Sequence, residues 1–409
     1  MEYKYFKLDN GIRLIHRHSG AYVAHLGIII NTGSRDEFED EEGLAHFIEH
    51  TIFKGTKKRK SFQLLSRMEN VGGDVNAFTT KEETYIYASF LPQYYQRAAE
   101  FLSDVLFNAT FPEKEIEKEK DVIIDEINSY NDDPQEKIYD EFEEFLFEGH
   151  SLAHNILGNS DTVKTFTKSY ILNFIKRNYT NNNIIISSVG KVDFSRLCSI
   201  VQTYFSIYDN ETSMRKRDIF KGSKPFEVVK DKDVSHSHCL IGCTAYGISD
   251  DKRIPLMLLD NLLGGPAMNS RLSLQIREKY GYSYNIGSGY TPFSDTGVFN
   301  IYASCDNGNV YNTIDLILLE LKKLREKKLG SLQLSRAKKQ LTGQIAISFE
   351  SDLNEMLSIG KSLIVFDKVD SLSTIFEKIN SVTSSDILEI ANELLSSDNI
   401  SMLIYQPNN

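Results

Sequence analysis

The sequence has few cysteines, no long apolar run and no excess of basic residues, and each absence excludes a class of protein. Four cysteines in 409 residues are too few for a disulfide scaffold. No stretch approaches the ~18 uninterrupted apolar residues that a membrane helix requires. The formal net charge of -11 argues against binding along a nucleic-acid backbone, which needs a basic surface. We therefore expect reduced thiols and neither a membrane nor a nucleic acid as partner.

The beginning of the sequence also lacks an apolar run of signal-peptide length, so the expected location is cytoplasmic. Acidic residues instead cluster at residues 36–42 and 133–148. Charge runs of this kind are most often solvated surface, and we expect that here. The alternative is a negative field that attracts basic peptides.

The length fits two domains of roughly 200 residues each. A polar stretch between residues 209 and 225 predicts a linker, with one domain at residues 1–215 and the other at 225–409. The halves also repeat each other, because Ile86-Tyr-Ala-Ser89 recurs 215 residues later and Asn183-Ile184 recurs 216 residues later. A nearly fixed offset predicts duplicated domains.

Both halves mix alternating, strand-like segments with long helical patterns. Strands joined by several successive helices are typical of an α+β fold. We predict two duplicated domains, each a mainly antiparallel sheet with helices packed on one face.

A metal-binding pattern lies on a helix predicted within residues 43–55, with Gly55 placed to end it. His46 and His50 are four residues apart, so both imidazoles leave one face of the helix and can share one ion. Imidazole nitrogens suit zinc, and a catalytic zinc site keeps one position open for water. Glu49 is placed to reach a metal-bound water as a general base without being a ligand.

Two histidines leave zinc short of a third protein ligand, and the helix after Pro112 offers candidates. Glu119 and Glu126 are seven residues apart and therefore project from one face of that helix. Val122 and Ile123 lie between them, so we expect this face to be buried. A buried carboxylate needs a cation or a hydrogen-bond donor, which favours a metal-site role for both glutamates.

This pattern resembles the pitrilysin/insulinase family of inverted zinc metallopeptidases, whose HxxEH motif matches His46-Phe-Ile-Glu49-His50. The chain is similar to the short, bacterial-type members that resemble the subunits of mitochondrial processing peptidase. The resemblance implies one zinc ion per chain, held by His46, His50 and Glu126. It implies that Glu49 is the base and that Glu119 is a further catalytic carboxylate outside the ligand set.

The resemblance also implies where a peptide substrate binds. Asn76, Ala77 and Phe78 look like the family's edge strand, which pairs with the substrate backbone. Arg277 and Tyr284 look like its Arg and Tyr element, which contacts the substrate carbonyl or the oxyanion.

The second half is expected to lack a zinc site. The offset of 215 places Asn261, Gly264, Gly265 and Leu341 where the first half has its metal-site residues. This half would then serve as wall and substrate clamp. Because family members enclose substrate between two such two-domain units, the resemblance implies a homodimer, or a heterodimer with a related subunit. Arg277 and Tyr284 would then reach the zinc of the partner.

The predicted function is a zinc metalloendopeptidase that hydrolyses peptides or unfolded polypeptides in an enclosed chamber, with metal-bound water activated by Glu49. Two alternatives stay open. A non-catalytic assembly or scaffold subunit of a peptidase complex would share the resemblance. A zinc hydrolase or lyase acting on small molecules would need neither the edge strand nor the duplicated half. Other divalent metals also bind sites of this composition.

Overall fold

The computed structural model describes residues 2–210 and 216–408. Residues 211–215, which belong to the predicted linker, lie outside the described residues, as do the two terminal residues. Within the described ranges the strands are β1 (Tyr3–Lys7), β2 (Arg13–His18), β3 (Ala24–Ile30), β4 (Asp74–Thr79), β5 (Thr84–Phe90), β6 (Ile184–Gly190), β7 (Glu227–Lys232), β8 (Ser237–Ala245), β9 (Ser283–Pro292), β10 (Gly297–Cys305) and β11 (Ser401–Pro407).

The helices of the same ranges are α1 (Leu44–Thr51), α2 (Ser61–Glu69), α3 (Tyr95–Asn108), α4 (Glu113–Asn131), α5 (Pro134–Leu146), α6 (Ser160–Thr165), α7 (Lys168–Asn178), α8 (Phe194–Phe205), α9 (Arg253–Gly264), α10 (Val310–Glu326), α11 (Ser331–Ser348), α12 (Asp352–Phe366), α13 (Leu372–Ser381) and α14 (Ser384–Leu394). A π-helical segment, Ser273–Tyr280, lies between α9 and β9. None of the described helices has both the length and the apolar character needed to cross a membrane.

The first sheet has the strand order β1-β2-β6-β3-β5-β4. Its neighbours pair antiparallel except β2 and β6, which are parallel. Every residue of β3 and β6 is buried, as expected for central strands that are covered on both faces. Strand β4 lies at one edge, and α1 packs against it.

The second sheet has the order β7-β11-β8-β10-β9, again with one parallel pair, β7 and β11. This order repeats β2-β6-β3-β5-β4 strand for strand, and β1 is an addition to the first sheet. The prediction of two duplicated, mainly antiparallel α+β domains is therefore confirmed.

The predicted placement of helices on one face is incomplete, because each sheet carries a helix on its other face as well. Leu26 and Ile28 of β3 face the main core, whereas Ile29 faces Met356 and Ile359 of α12. In the second sheet, the corresponding face is covered by α5, although this helix precedes the second half in the sequence. Successive residues of a strand point to opposite faces of the sheet. Apolar side chains at adjacent positions therefore require packing partners on both faces.

Packing groups the chain into two compact units that exchange sequence segments. The first contains Met1–Asn128, His154–Asp218 and Ile347–Ser371, and the second contains Ser129–Ala153, Ile219–Ala346 and Leu372–Asn409. The predicted domains, 1–215 and 225–409, follow the sequence repeat and remain a prediction. The repeat did not reveal that α12 completes the first unit and α5 the second.

Candidate metal centre

Helix α1 is fixed at its beginning by a buried carboxylate and a glycine. The Glu37 carboxylate accepts hydrogen bonds from the backbone N–H groups of Gly43, at 3.0 Å, and Ala45, at 2.7 Å. It thereby satisfies donors that have no partner inside the helix. Gly43 has a φ of 90°, and a Cβ there would lie 2.6 Å from the carbonyl oxygen of Leu157.

The expectation that the acidic runs are solvated surface is wrong for several of their residues, including Asp36, whose side chain is 5% exposed and pairs with Arg217. Glu37 and Glu41 are only 3% and 5% exposed, because Glu37 caps α1 and Glu41 binds the Arg177 guanidinium at 2.5 Å. In the second unit, Glu141 binds Lys230 at 2.7 Å. Part of the acidic sequence therefore orients helices.

The three predicted ligands converge on one point. One potential ligand atom from each of His46, His50 and Glu126 lies within 4.8 Å of the other two. Glu126 Oε2 is 3.9 Å from His46 Nε2 and 3.5 Å from His50 Nε2. Two imidazole nitrogens and one carboxylate oxygen form a donor set that catalytic zinc sites use. The residues present therefore fit a zinc ion.

Burial and neighbouring charge give His46 and Glu49 suitable protonation states. Burial, reinforced by the nearby His50, lowers the pKa of His46 to about 4, so its imidazole is neutral near pH 7 and able to bind a metal. For Glu49, burial is the main influence and raises the pKa, while the Thr79 hydroxyl and His50 oppose that rise. A raised pKa suits a group that takes up and returns a proton.

Glu119 lies behind His50. Its Oε2 is 3.3 Å from His50 Nδ1, and its Oε1 is 2.6 Å from Lys54 Nζ. An imidazole that directs Nδ1 at a carboxylate keeps Nε2 for a metal. Glu119 thus contacts a candidate ligand, and its catalytic role remains a prediction.

The expectation that the whole face between Glu119 and Glu126 is buried is wrong. Glu119 and Ile123 are buried, but Val122 is 48% exposed and the Glu126 side chain is 40% exposed. At 100° per residue, Val122 and Ile123 lie on opposite sides of Glu119, about 60° and 40° away. Only the side with Ile123 packs into the core, so Glu126 lies at the margin, where its carboxylate stays accessible.

Strand β4, which carries Asn76, Ala77 and Phe78, is an edge strand. The N–H of Thr80 donates to Glu83 O at 2.8 Å across the turn into β5. Because hydrogen-bonded and non-hydrogen-bonded pairs alternate in an antiparallel ladder, Ala77, opposite Ile86, directs its N–H and C=O to the open side. That N–H donates to Asn76 Oδ1 at 2.9 Å.

Thr79 connects this edge to the candidate base, and sequence analysis gave it no such role. Its hydroxyl donates to Glu49 Oε2 at 2.7 Å. Lys54 was also missed, because it lies in the loop after α1 and its partner Glu119 belongs to α4. No sequence pattern signals the Thr79 contact, because 30 residues separate its partners.

Arg277 and Tyr284 belong to the second unit, where they lie together. The Arg277 guanidinium lies 4.6 Å from the centre of the Tyr284 ring, and Tyr284 is 81% exposed. Arg277 lies within the π-helical segment, and Tyr284 is the second residue of β9, the edge strand of the second sheet. An exposed hydroxyl and a partly buried guanidinium, which also contacts Glu278 at 3.6 Å, thus lie side by side, and their role toward a substrate remains a prediction.

The second half has an amide side chain at the position equivalent to the first candidate histidine. Asn261 of α9, equivalent to His46, donates to Gln344 Oε1 at 2.5 Å. Across the residues that the structure describes, His46, His50 and Glu126 are the one cluster of potential metal ligands.

Residues 13–160 match the model of the insulinase family, peptidase family M16, and residues 165–341 match that of the peptidase M16 inactive domain. A protein of Rickettsia felis named an uncharacterized zinc protease is 33% identical, over 97% of this chain and 96% of its own length. A Rickettsia bellii protein of the same name is 32% identical, over 98% and 97%.

This chain belongs to the insulinase family. The zinc protease YmxG of Bacillus subtilis, also named uncharacterized, is 29% identical over 99% of both chains. Two solved structures share the fold of this insulinase-family chain, each with a TM-score of 0.94. They are a protease from Helicobacter pylori, 20% identical over 99% of both chains, and a peptidase M16 inactive domain from Pseudomonas fluorescens, 17% identical over 100% of this chain and 98% of that one.

Proposed function

We propose that this chain is a zinc metalloendopeptidase that hydrolyses peptides or unfolded polypeptides. The observation that carries the proposal is the convergence of His46, His50 and Glu126 within 4.8 Å. Glu49 lies beside them, bonded to the end of an open edge strand. The names of the relatives, zinc proteases, support both the metal and the reaction class.

Residues of α1, α4 and β4 divide the chemistry between them. His46, His50 and Glu126 would hold a zinc ion, which when bound would supply Lewis acidity toward the peptide carbonyl and the attacking water. Glu49 takes a proton from that water and returns it to the leaving amine. The Thr79 hydroxyl occupies Oε2 of Glu49, which leaves Oε1 for the proton.

Strand β4 selects an extended backbone. A peptide that adds to its open side would pair with the N–H and C=O of Ala77, once Asn76 releases that N–H. Main-chain pairing tolerates many side chains. It excludes segments whose backbone groups are already paired in a folded protein, which is why we propose peptides and unfolded chains as substrates.

The second half also has a role in the proposed function. Residues 225–409 would form the wall and clamp of an enclosed chamber, with Arg277 and Tyr284 as donors to the substrate carbonyl or oxyanion. The chamber requires two copies, so we propose a homodimer, or a heterodimer with a related subunit, in which these two residues act on the partner's zinc site. Cytoplasmic location stays a prediction.

The first test is digestion of a quenched fluorescent peptide library by the purified protein, with and without a chelator. Glu49→Gln is compared with Glu69→Gln, which alters an exposed glutamate of α2. We expect chelator-sensitive cleavage that Glu49→Gln lowers by about 10²-fold or more without losing zinc, and that Glu69→Gln leaves unchanged.

Three results would redirect the assignment. Full activity of Glu49→Gln would remove Glu49 as the base. A preparation with one zinc per chain but no cleavage would favour the assembly subunit. Turnover of small molecules but of no peptide would favour the small-molecule hydrolase or lyase.

A further inference from the structure

Lys54 stands at the end of a chain of polar contacts that leads to a proposed zinc ligand. Its Nζ is 2.6 Å from Glu119 Oε1, and Glu119 Oε2 is 3.3 Å from His50 Nδ1. The Glu119 side chain is 8% exposed and that of Lys54 is 29% exposed. The carboxylate is therefore held between a cation and an imidazole, largely away from water.

The two oxygens of Glu119 have different partners, and this fixes the carboxylate in one orientation. Lys54 occupies Oε1, so Oε2 stays directed at His50 Nδ1. A neutral His50 that donates from Nδ1 to this carboxylate has Nε2 as its unprotonated nitrogen, and Nε2 faces Glu126 at 3.5 Å. Without Lys54, Oε1 loses its charged partner and the carboxylate is free to turn away from His50.

The other histidine has no comparable support. His46 Nδ1 is buried and has no hydrogen-bond partner among the described residues. Of the two imidazoles, therefore, only His50 is oriented by a side-chain contact at Nδ1. If His50 loses this orientation, neither imidazole of the site is oriented at Nδ1, because His46 has no equivalent contact.

We propose that Lys54 is a positioning residue of the metal centre, which acts through Glu119 to hold the His50 imidazole with Nε2 toward the metal. The inference rests on the proposed metal site and adds to it a residue that does not touch the ion. A direct electrostatic effect of Lys54 on metal affinity would have the opposite sign, because the positive charge of Lys54 would weaken the binding of a nearby cation. Metal affinity therefore separates the two roles.

The test measures the zinc dissociation constant of the metal-free protein by competition with a chromophoric chelator. Lys54→Met should weaken zinc binding about tenfold, the lower end of the range for residues that support metal ligands. Lys54→Arg should restore affinity to within about threefold, because it can still donate to Oε1. Lys57→Met, at an exposed lysine of the same loop, should leave it unchanged.

A double-mutant cycle tests whether Lys54 acts through Glu119. In the Glu119→Gln background, Lys54→Met should cause little further loss, because the two changes break the same chain of contacts. Equal melting temperatures of the metal-free variants show that the loss is not unfolding. Additive losses, or zinc binding by Lys54→Met as tight as the wild type or tighter, would overturn the proposal.

Failure of the positioning role and failure of the peptidase function give different results. A wild type that binds one zinc and cleaves peptides, with a Lys54→Met variant of equal affinity, refutes only the role of Lys54. A wild type that binds one zinc and cleaves nothing refutes the function, and the affinity differences still decide on Lys54.

Discussion

The hydrogen bond from Thr79 to Glu49 gives a prediction at the scale of single residues. Thr79→Val removes the hydroxyl that holds Glu49 Oε2 at 2.7 Å. A hydrogen bond to a charged group contributes about 1.5–3 kcal/mol, so we expect kcat to fall about tenfold or more. KM should change little, because the hydroxyl contacts the base. Steady-state kinetics on one library peptide measure both constants.

Thr79→Ser is the matched control, since it keeps the hydroxyl. It should retain most of the wild-type kcat. A Thr79→Val variant with wild-type kcat would show that Glu49 is held in place by its other contacts.

Asp260 of α9 gives a prediction for stability against pH. Burial is the main influence and raises its pKa from 3.8 to about 6, although the Ser288 hydroxyl donates to the carboxylate and opposes that rise. A raised pKa means that the neutral acid stabilises the fold below about pH 4, and that this stabilisation is lost as the pH rises through about 6. Asp260→Asn cannot ionise and still accepts from Ser288.

We therefore expect Asp260→Asn to melt about 2 °C or more above the wild type at pH 7.5, and at the same temperature as the wild type at pH 4. Differential scanning fluorimetry at both pH values measures this. Asp251→Asn, at an exposed aspartate of the preceding turn, is the control and should show no pH-dependent difference. An equal effect of Asp260→Asn at both pH values would contradict the explanation.

The candidate ligands were predictable because helical spacing places His46 and His50 on one face, and the family resemblance supplied Glu126. Lys54 and Thr79 were not, because their roles arise where separate elements meet. Glu37 was misjudged for a related reason. A carboxylate in an acidic run is typical of solvated surface, and only the fold shows that it caps α1.

At the scale of elements, two glycines on neighbouring helices should respond to alanine in opposite ways. Gly360 of α12 lies against the first sheet, where a Cβ would meet Ile29 Cδ1 at 2.4 Å and Ser187 Cβ at 3.0 Å. Gly360→Ala should destabilise the protein by about 1–3 kcal/mol, because overpacking costs more than the improved helix propensity gains.

Gly343 of α11 is the control, because a Cβ there would meet nothing within 4 Å. Gly343→Ala should stabilise the protein by up to about 1 kcal/mol through helix propensity alone. Thermal melting of both variants checks the pair. A Gly360→Ala variant that melts higher than wild type would mean that α12 shifts easily on the sheet.

The sequence predicted the type of most elements but not which sheet each helix covers. Strand alternation and helical period depend on local residues, and they indicated the strands and helices but not the helix on the second face of each sheet. Both α5 and α12 are amphipathic helices whose apolar residues could serve either sheet. Their placement depends on packing against residues more than a hundred positions away, such as Ile29 for α12.

At the scale of the whole molecule, the proposed dimer can be tested by mixing two inactive variants. If Arg277 acts on the partner's zinc site, a mixed dimer of Glu49→Gln and Arg277→Ala contains one site with both residues intact. Random exchange of subunits in a symmetric dimer should then restore about a quarter of wild-type activity. Peptide cleavage before and after mixing measures it, and each variant incubated alone is the control.

If Arg277 instead serves the zinc site of its own chain, every site in the mixture lacks one of the two residues. The mixture would then be as inactive as its components, which would contradict the proposed arrangement.

The placement of α12 on the first sheet also determines when both faces of that sheet can be covered during synthesis. Its strands end at Gly190, but the helix that covers their second face begins only at Asp352. While the ribosome translates the intervening residues, the nascent sheet exposes Ile15, Ile29 and Ile185 to water. Such long-range closure is slow, and transiently exposed apolar strands aggregate. Newborn chains of this protein should therefore depend on chaperones until translation is almost complete.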